Sequence, residues 1–168
     1  MPEFIADTSG TVHGLEWDQL AAFTQGYVEA MLFTETIDSV SMVEWTDPEN
    51  QDDIQEGRVS GTIPGDSGWG DIHPDTFDQI QRDCMEFERQ AFDLLIEVHK
   101  LGYDREQAGR DFWFTRCGHG VGFWDRDQLE EGGLGDKLSD IAREFGETWV
   151  DFVPDESSPT GYGFIHLC

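Results

Sequence analysis

Apolar residues recur at three- and four-residue spacings in two stretches of this chain and cluster or alternate elsewhere. Over residues 16–33, Leu20, Phe23, Tyr27 and Met31 fall on one stripe, which predicts an amphipathic helix. Gly26 lies inside that stretch. It lowers helix propensity by about 1 kcal/mol relative to Ala, which marks the position as a point of close packing. A longer face made of Phe77, Ile80, Cys84, Phe87, Ala91, Leu94, Leu95 and Val98 predicts a second helix over 74–99. Pro74 and Asp75 open it and Gly102 stops it.

Between the two helices, residues 34–73 show no helical period. The segment 34–72 holds ten acids against the single Arg58, with two Pro and five Gly. Short apolar bursts (Val40, Met42 and Val43; Val59 and Ile63; Trp69 and Ile72) predict a long irregular acidic loop or small hairpin pinned to the core. Connections of that length inside a compact domain are commonly functional.

After a short helical turn over 104–110, two aromatic, β-prone runs, DFWFTR and VGFWDR, flank CGHG and predict a β-hairpin. GLGDKLSDIAREFG predicts a further helix with Leu138, Ile141, Ala142 and Phe145 inward and Gly146 as its stop. TWVDFV and GYGFIHL read as strands. The expected architecture is one α+β domain over residues 1–168. Two N-terminal helices pack on a small, mainly antiparallel sheet in the order α-loop-α-β-β-α-β-β.

Composition supports a folded core, with 38% hydrophobic and 12% aromatic residues, including six Trp and twelve Phe. Charge changes the picture more. The chain has 36 Asp+Glu against 10 Lys+Arg, a formal net charge of -26. Such a surface repels nucleic acid and anionic membrane and attracts basic partners. Residues 1–57 contain thirteen acids and no Lys or Arg. On the 74–99 helix, by contrast, Asp78–Arg82, Arg82–Glu86 and Arg89–Asp93 are spaced for internal pairing. Cys84, Cys117 and Cys168 with no secretory leader point to free thiols in a reducing host cytoplasm. No apolar run is long enough to cross a membrane.

Candidate chemistry is sparse. Arg116, His119, Asp125 and Arg126 gather around the expected hairpin turn, where Arg116 and Asp125 could pair across strands and Asp125 could orient His119 as a base. A tight aromatic turn serves the same pattern structurally, and no nucleophile stands at a recognisable spacing. The five His are scattered without zinc spacing, the acidic runs lack a calcium-loop ladder, and phosphate-binding glycine motifs are absent. No metal and no cofactor are expected.

The segment AGRDFWFTRCGHGVGFWDR, followed by GDKLSDIAREFG and a strand, resembles a family of small proteins encoded by tailed phages. Members of that family carry stretches close to DFWLTRNGHGAGFWDR. The resemblance covers roughly residues 105–153 and includes Phe112, Trp113, Thr115, Arg116, Gly118, His119, Gly120, Gly122, Phe123, Trp124, Asp125 and Arg126. Cys117 stands where the family often has Asn. The resemblance implies a phage or prophage accessory protein and implies no particular activity.

Together these features lead us to expect a non-enzymatic, acidic inhibitor of a basic, nucleic-acid-handling host protein, acting as a DNA mimic. A charge of -26 matches that of about 13 base pairs of duplex, an upper bound for one presented face. The expected contact residues are Glu35, Asp38, Glu44, Trp45, Asp47, Glu49, Asp52, Asp53, Glu56 and Trp69, the two Trp exposed as anchors. Salt adaptation explains the same acidity equally well. A homo-oligomeric virion or assembly component, or a small enzyme using His119, Asp125 and Arg116, are readings from other classes.

Overall fold

The computed structural model describes residues 7–35, 67–159, 161 and 163–167. Its helices are α1 (Ala22–Glu35), α2 (Pro74–Gln90), α3 (Phe92–Lys100), α4 (Arg105–Arg116) and α5 (Leu134–Glu144). Two strands, β1 (Val150–Pro154) and β2 (Gly163–Leu167), pair antiparallel with Val150 opposite Leu167 and Pro154 opposite Gly163. The fold is therefore helix-rich with a small antiparallel sheet, and the strands lie where TWVDFV and GYGFIHL predict them.

The apolar faces behave as their spacing predicts. Phe77, Ile80, Cys84, Phe87, Ala91, Leu95 and Val98 are all buried, although the chain divides at Ala91 into α2 and α3. Gly102 and Gly146 follow the ends of α3 and α5, both with positive φ. The first helix starts later than expected, at Ala22, after a 3-10 turn over Trp17–Gln19, and runs on to Glu35.

The largest departure is DFWFTR, which is the C-terminal half of α4 and not a strand. Asp104 caps α4 by accepting the Gln107 N–H at 2.8 Å, and Glu106 and Arg110 pair one turn apart. Ala108, Gly109, Asp111, Phe112, Trp113, Thr115 and Arg116 are all buried. A helix covered on nearly every side shows no amphipathic period, so its aromatic run reads as strand from propensity alone. VGFWDR is likewise a 3-10 turn over Phe123–Asp125, and the expected hairpin is not formed.

Of the two N-terminal helices expected on the sheet, α2 meets it at its start, whereas α1 packs on α4. Gly26 and Gly109 meet at the crossing. A Cβ built on Gly26 would sit 1.9 Å from the Glu106 carbonyl oxygen, and one on Gly109 would sit 1.9 Å from that of Phe23. Only glycine on both helices lets the backbones approach this closely. The sheet instead abuts the start of α2, where His73 N–H donates to Ile165 O at 3.0 Å and Leu167 N–H donates to Thr76 Oγ1 at 3.2 Å. Phe23, Tyr27, Phe87, Phe112, Trp113 and Phe123 form the aromatic centre of the core.

The ends of the expected acidic loop belong to this framework. Thr34 and Glu35 finish α1, and Trp69 and Ile72 are buried in a 3-10 turn pinned to the core. On α2, Arg89 pairs with Glu86 at three residues' separation, and the predicted Asp78–Arg82, Arg82–Glu86 and Arg89–Asp93 pairs are not among the ion pairs of the described residues. Asp78 meets His13 instead, at 3.1 Å.

Candidate functional site

Helices α1 and α4 end on the same side of the molecule, and their last turns assemble the polar cluster that the sequence places in two separate groups. A glycine cap ends α4. Gly118 has φ 68, its N–H reaches Thr115 O at 3.4 Å, and the His119 N–H turns back to Phe114 O at 3.1 Å. These reversed bonds satisfy carbonyls left open by the helix end. CGHG, expected as a hairpin loop, is this cap.

The cap aims His119. Its ring lies edge-on to Phe114 with centroids 6.3 Å apart and nearly parallel to Trp113 at 6.1 Å. Its Nε2 stands 3.6 Å from Oε1 of Glu35, the last residue of α1. Burial raises the Glu35 carboxyl above its usual range, while the nearby His119 charge opposes that shift. Thr34 Oγ1 accepts the Trp113 indole N–H at 2.8 Å and donates to Ala30 O at 3.0 Å, which ties the two helix ends together.

Beside this pair lies an open cavity of about 210 Å³, lined by Glu29, Ala30, Phe33, Arg110 and Phe114. Arg110 bridges Glu106 and Glu29, the latter at 3.3 Å, and Phe33 presents about half of its surface to solvent. Cys117 donates its thiol to Thr148 O at 3.3 Å, and burial pushes that thiol up to about 11. It is a protonated donor at neutral pH and not a thiolate nucleophile.

The remaining motif charges serve the fold. The Arg116 side chain is 4% exposed and pairs with Asp83 at 2.7 Å. It also donates to the Tyr27 hydroxyl at 3.1 Å and to the carbonyls of Gly146 and Phe145 at 3.0 and 3.2 Å, closing the end of α5. Its guanidinium stands over the Phe112 and Phe145 rings. Arg126 reaches fully buried Asp111, and Tyr103 donates its hydroxyl to the same carboxylate. Thr115 Oγ1 accepts the Phe123 N–H at 3.2 Å, which fixes the turn that follows the cap.

The expected cross-strand pair of Arg116 and Asp125 is therefore absent, because its strands are a helix and a 3-10 turn. Asp125 is exposed and does not orient His119, whose acidic neighbour is Glu35. Trp69, expected as an exposed anchor, is fully buried; its indole N–H donates to Leu15 O at 3.2 Å and its ring meets Phe77 edge-on. A large flat ring between two aromatic neighbours stabilises the core more than it would an exposed rim. Asp38, Glu44, Trp45, Asp47, Glu49, Asp52, Asp53 and Glu56 lie outside the described residues.

Sequence reasoning missed Asp83, Asp111, Glu29, Arg110 and Phe33. The four-residue spacing of Glu106 and Arg110 was the available signal for one of them, once the helix is known. Glu35 and His119 face each other at 3.6 Å, just beyond hydrogen-bond reach, and no hydroxyl or thiol hydrogen-bonds His119 among the described residues. No group of three or more His, Cys, Asp or Glu is placed to hold a metal ion among them either. Nor is any described helix long and apolar enough to cross a membrane. No protein-family model, curated protein or solved structure matches the chain.

Proposed function

We propose that this chain is a phage-type acidic accessory protein that binds and inhibits a basic, nucleic-acid-handling host protein, its carboxylates standing in for DNA phosphates. The observation that carries this reading is the large excess of acid over base in the chain, 36 Asp+Glu against 10 Lys+Arg, three of whose cations are engaged by carboxylates of the framework. Arg116 and Arg126 turn toward the interior carboxylates of Asp83 and Asp111, and Arg110 lies between Glu29 and Glu106. These three cations are paired within the framework, while Arg82, Arg89, Lys100, Lys137 and Arg143 are exposed among many more acids. Around Arg126, the side chains of Asp125, Asp127, Glu130 and Glu131 all face solvent.

A net charge of -26 steers a basic groove toward the molecule and competes for the sites that phosphates occupy. The resemblance of AGRDFWFTRCGHGVGFWDR to tailed-phage proteins supports the viral context. Contact through Glu35 and the acidic residues that follow it belongs to this proposal.

Capture of binding proteins from a host lysate at low and high salt, with duplex DNA as competitor, tests the reading. The expected result is a nucleic-acid-binding protein that duplex DNA displaces and rising salt releases. Retention of no such protein, or retention indifferent to DNA, overturns it and leaves salt adaptation as the explanation of the charge.

A further inference from the structure

Past the Gly26–Gly109 crossing, α1 and α4 run side by side to the bond between Thr34 and Trp113. They set two rows of side chains along the open cavity beside Glu35 and His119. Glu29 and Phe33 stand four residues apart on α1, as do Glu106, Arg110 and Phe114 in succession on α4. Glu29, Ala30, Phe33, Arg110 and Phe114 line the cavity, whose volume is about 210 Å³. The shared spacing gives it two ends. Glu29 and Arg110 form a charged end, and Phe33 and Phe114 form an aromatic end one helical turn further on.

The charged end is unbalanced. Arg110 Nη2 donates a hydrogen bond to Glu106 Oε1. The same nitrogen lies 3.3 Å from Glu29 Oε1, an ion-pair contact without hydrogen-bond alignment. One guanidinium therefore serves two carboxylates, and the Glu29 carboxylate accepts no hydrogen bond among the described residues. Its side chain is 32% exposed, within reach of a donor from outside.

We propose that this cavity is a socket for one lysine side chain of a basic partner protein. The ammonium lies at the charged end and donates to the Glu29 carboxylate, and the aliphatic stem lies between Phe33 and Phe114. Four residues rise about 6 Å along a helix, close to the reach of the lysine stem. The stem covers aromatic surface, including the half-exposed Phe33, while the charged head keeps a carboxylate partner.

Other occupants match one end only. A carboxylate or phosphate would meet Glu29 and Glu106 with a single, already engaged cation between them. A purely apolar side chain would cover the rings and shut Glu29 off from water without supplying a donor, which costs free energy. An arginine would bring a broad planar head to the end that Arg110 already fills. The partner's basic character comes from the function proposed above, on which the inference rests.

NMR chemical-shift titration with the tripeptide acetyl-Gly-Lys-Gly-amide at physiological salt, against the same peptide carrying norleucine, tests the socket. The lysine peptide is expected to shift the Phe33 and Phe114 ring signals saturably. Norleucine keeps the stem but lacks the ammonium, and its peptide should bind about fivefold more weakly. Glu29→Gln should weaken the lysine peptide about threefold, whereas Glu130→Gln, the same change of charge at an exposed acid elsewhere, should leave it unaltered. Equal binding of the two peptides, shifts spread over the acidic surface without saturation at the two rings, or a Glu29→Gln effect no larger than that of Glu130→Gln overturns the socket. The tripeptides contain no host protein, so their failure leaves the lysate capture standing. Failure of the lysate capture removes the partner without altering the tripeptide result.

Discussion

Arg126 closes on Asp111 through two hydrogen bonds, 2.9 Å to Oδ2 and 2.6 Å to Oδ1, and Asp111 has no exposed surface. Burial and the Asp111 carboxylate hold the neighbouring Tyr103 hydroxyl protonated, so it remains a donor to that carboxylate. Replacing Arg126 with Gln leaves a buried carboxylate short of its cation. We expect a loss of about 2–4 kcal/mol in urea unfolding, toward the lower end because part of the guanidinium reaches solvent. Adding Asp111→Asn to that variant should recover part of the loss, since the uncompensated charge is then gone.

At the α1–α4 crossing, Ala in place of Gly26 adds one methyl group and improves helix propensity by about 1 kcal/mol. The new Cβ would nevertheless lie 1.9 Å from the Glu106 carbonyl oxygen, which belongs to backbone and cannot rotate away. Net destabilisation of about 2 kcal/mol or more is expected in thermal unfolding. A Gly26→Ala protein as stable as the parent would show that the helices do not cross this closely.

His166 stacks on His73 with ring centroids 4.6 Å apart, where β2 meets the start of α2. Burial first, and the neighbouring His73 second, lower the His166 pKa from 6.5; Asp151 and Asp75 oppose the shift. A histidine with a depressed folded pKa favours the folded state while neutral. Its contribution is complete above the unfolded value and is lost as pH falls through the lower folded value. Unfolding measured across this range should show stability declining on acidification, and His166→Phe should flatten that part of the profile.

Burial raises the thiols of both Cys84 and Cys117, the latter to about 11. Brief alkylation at mildly alkaline pH followed by peptide mapping should leave both largely unmodified in the folded protein, and label both in denaturant. Rapid labelling of Cys117 in the folded state would contradict its hydrogen bond to Thr148.

What the sequence made legible depended on how many sides of an element face water. The row from Phe77 to Val98 was readable because α2 and α3 bury one face and solvate the other, and Gly102 and Gly146 marked real ends. The first half of α4 was readable as the helical turn over 104–110, but its second half was not, since burial of Asp111, Phe112, Trp113, Thr115 and Arg116 leaves no polar face to set a period. The cluster at the helix ends shared that fate. His119 was singled out by its place between two glycines, but its neighbour Glu35 arrives from the end of another helix. Arg116 finds Asp83 across 33 residues of chain, a distance over which no local pattern operates. Trp69 was misjudged because a Trp within an acidic, glycine-rich stretch carries no sign of which side it faces.

With Arg110, Arg116 and Arg126 directed at carboxylates of the framework, architecture and outward charge become separate variables. The side chains of Asp127, Glu130 and Glu131 take part in no described hydrogen bond or ion pair. Exchanged for amides, they would raise the isoelectric point and slow electrophoretic migration at constant shape, giving a graded series of surfaces on one frame. Exchange of a framework arginine would lower the isoelectric point by a similar step while loosening the frame itself. Two substitutions of equal charge change would then be told apart by stability alone.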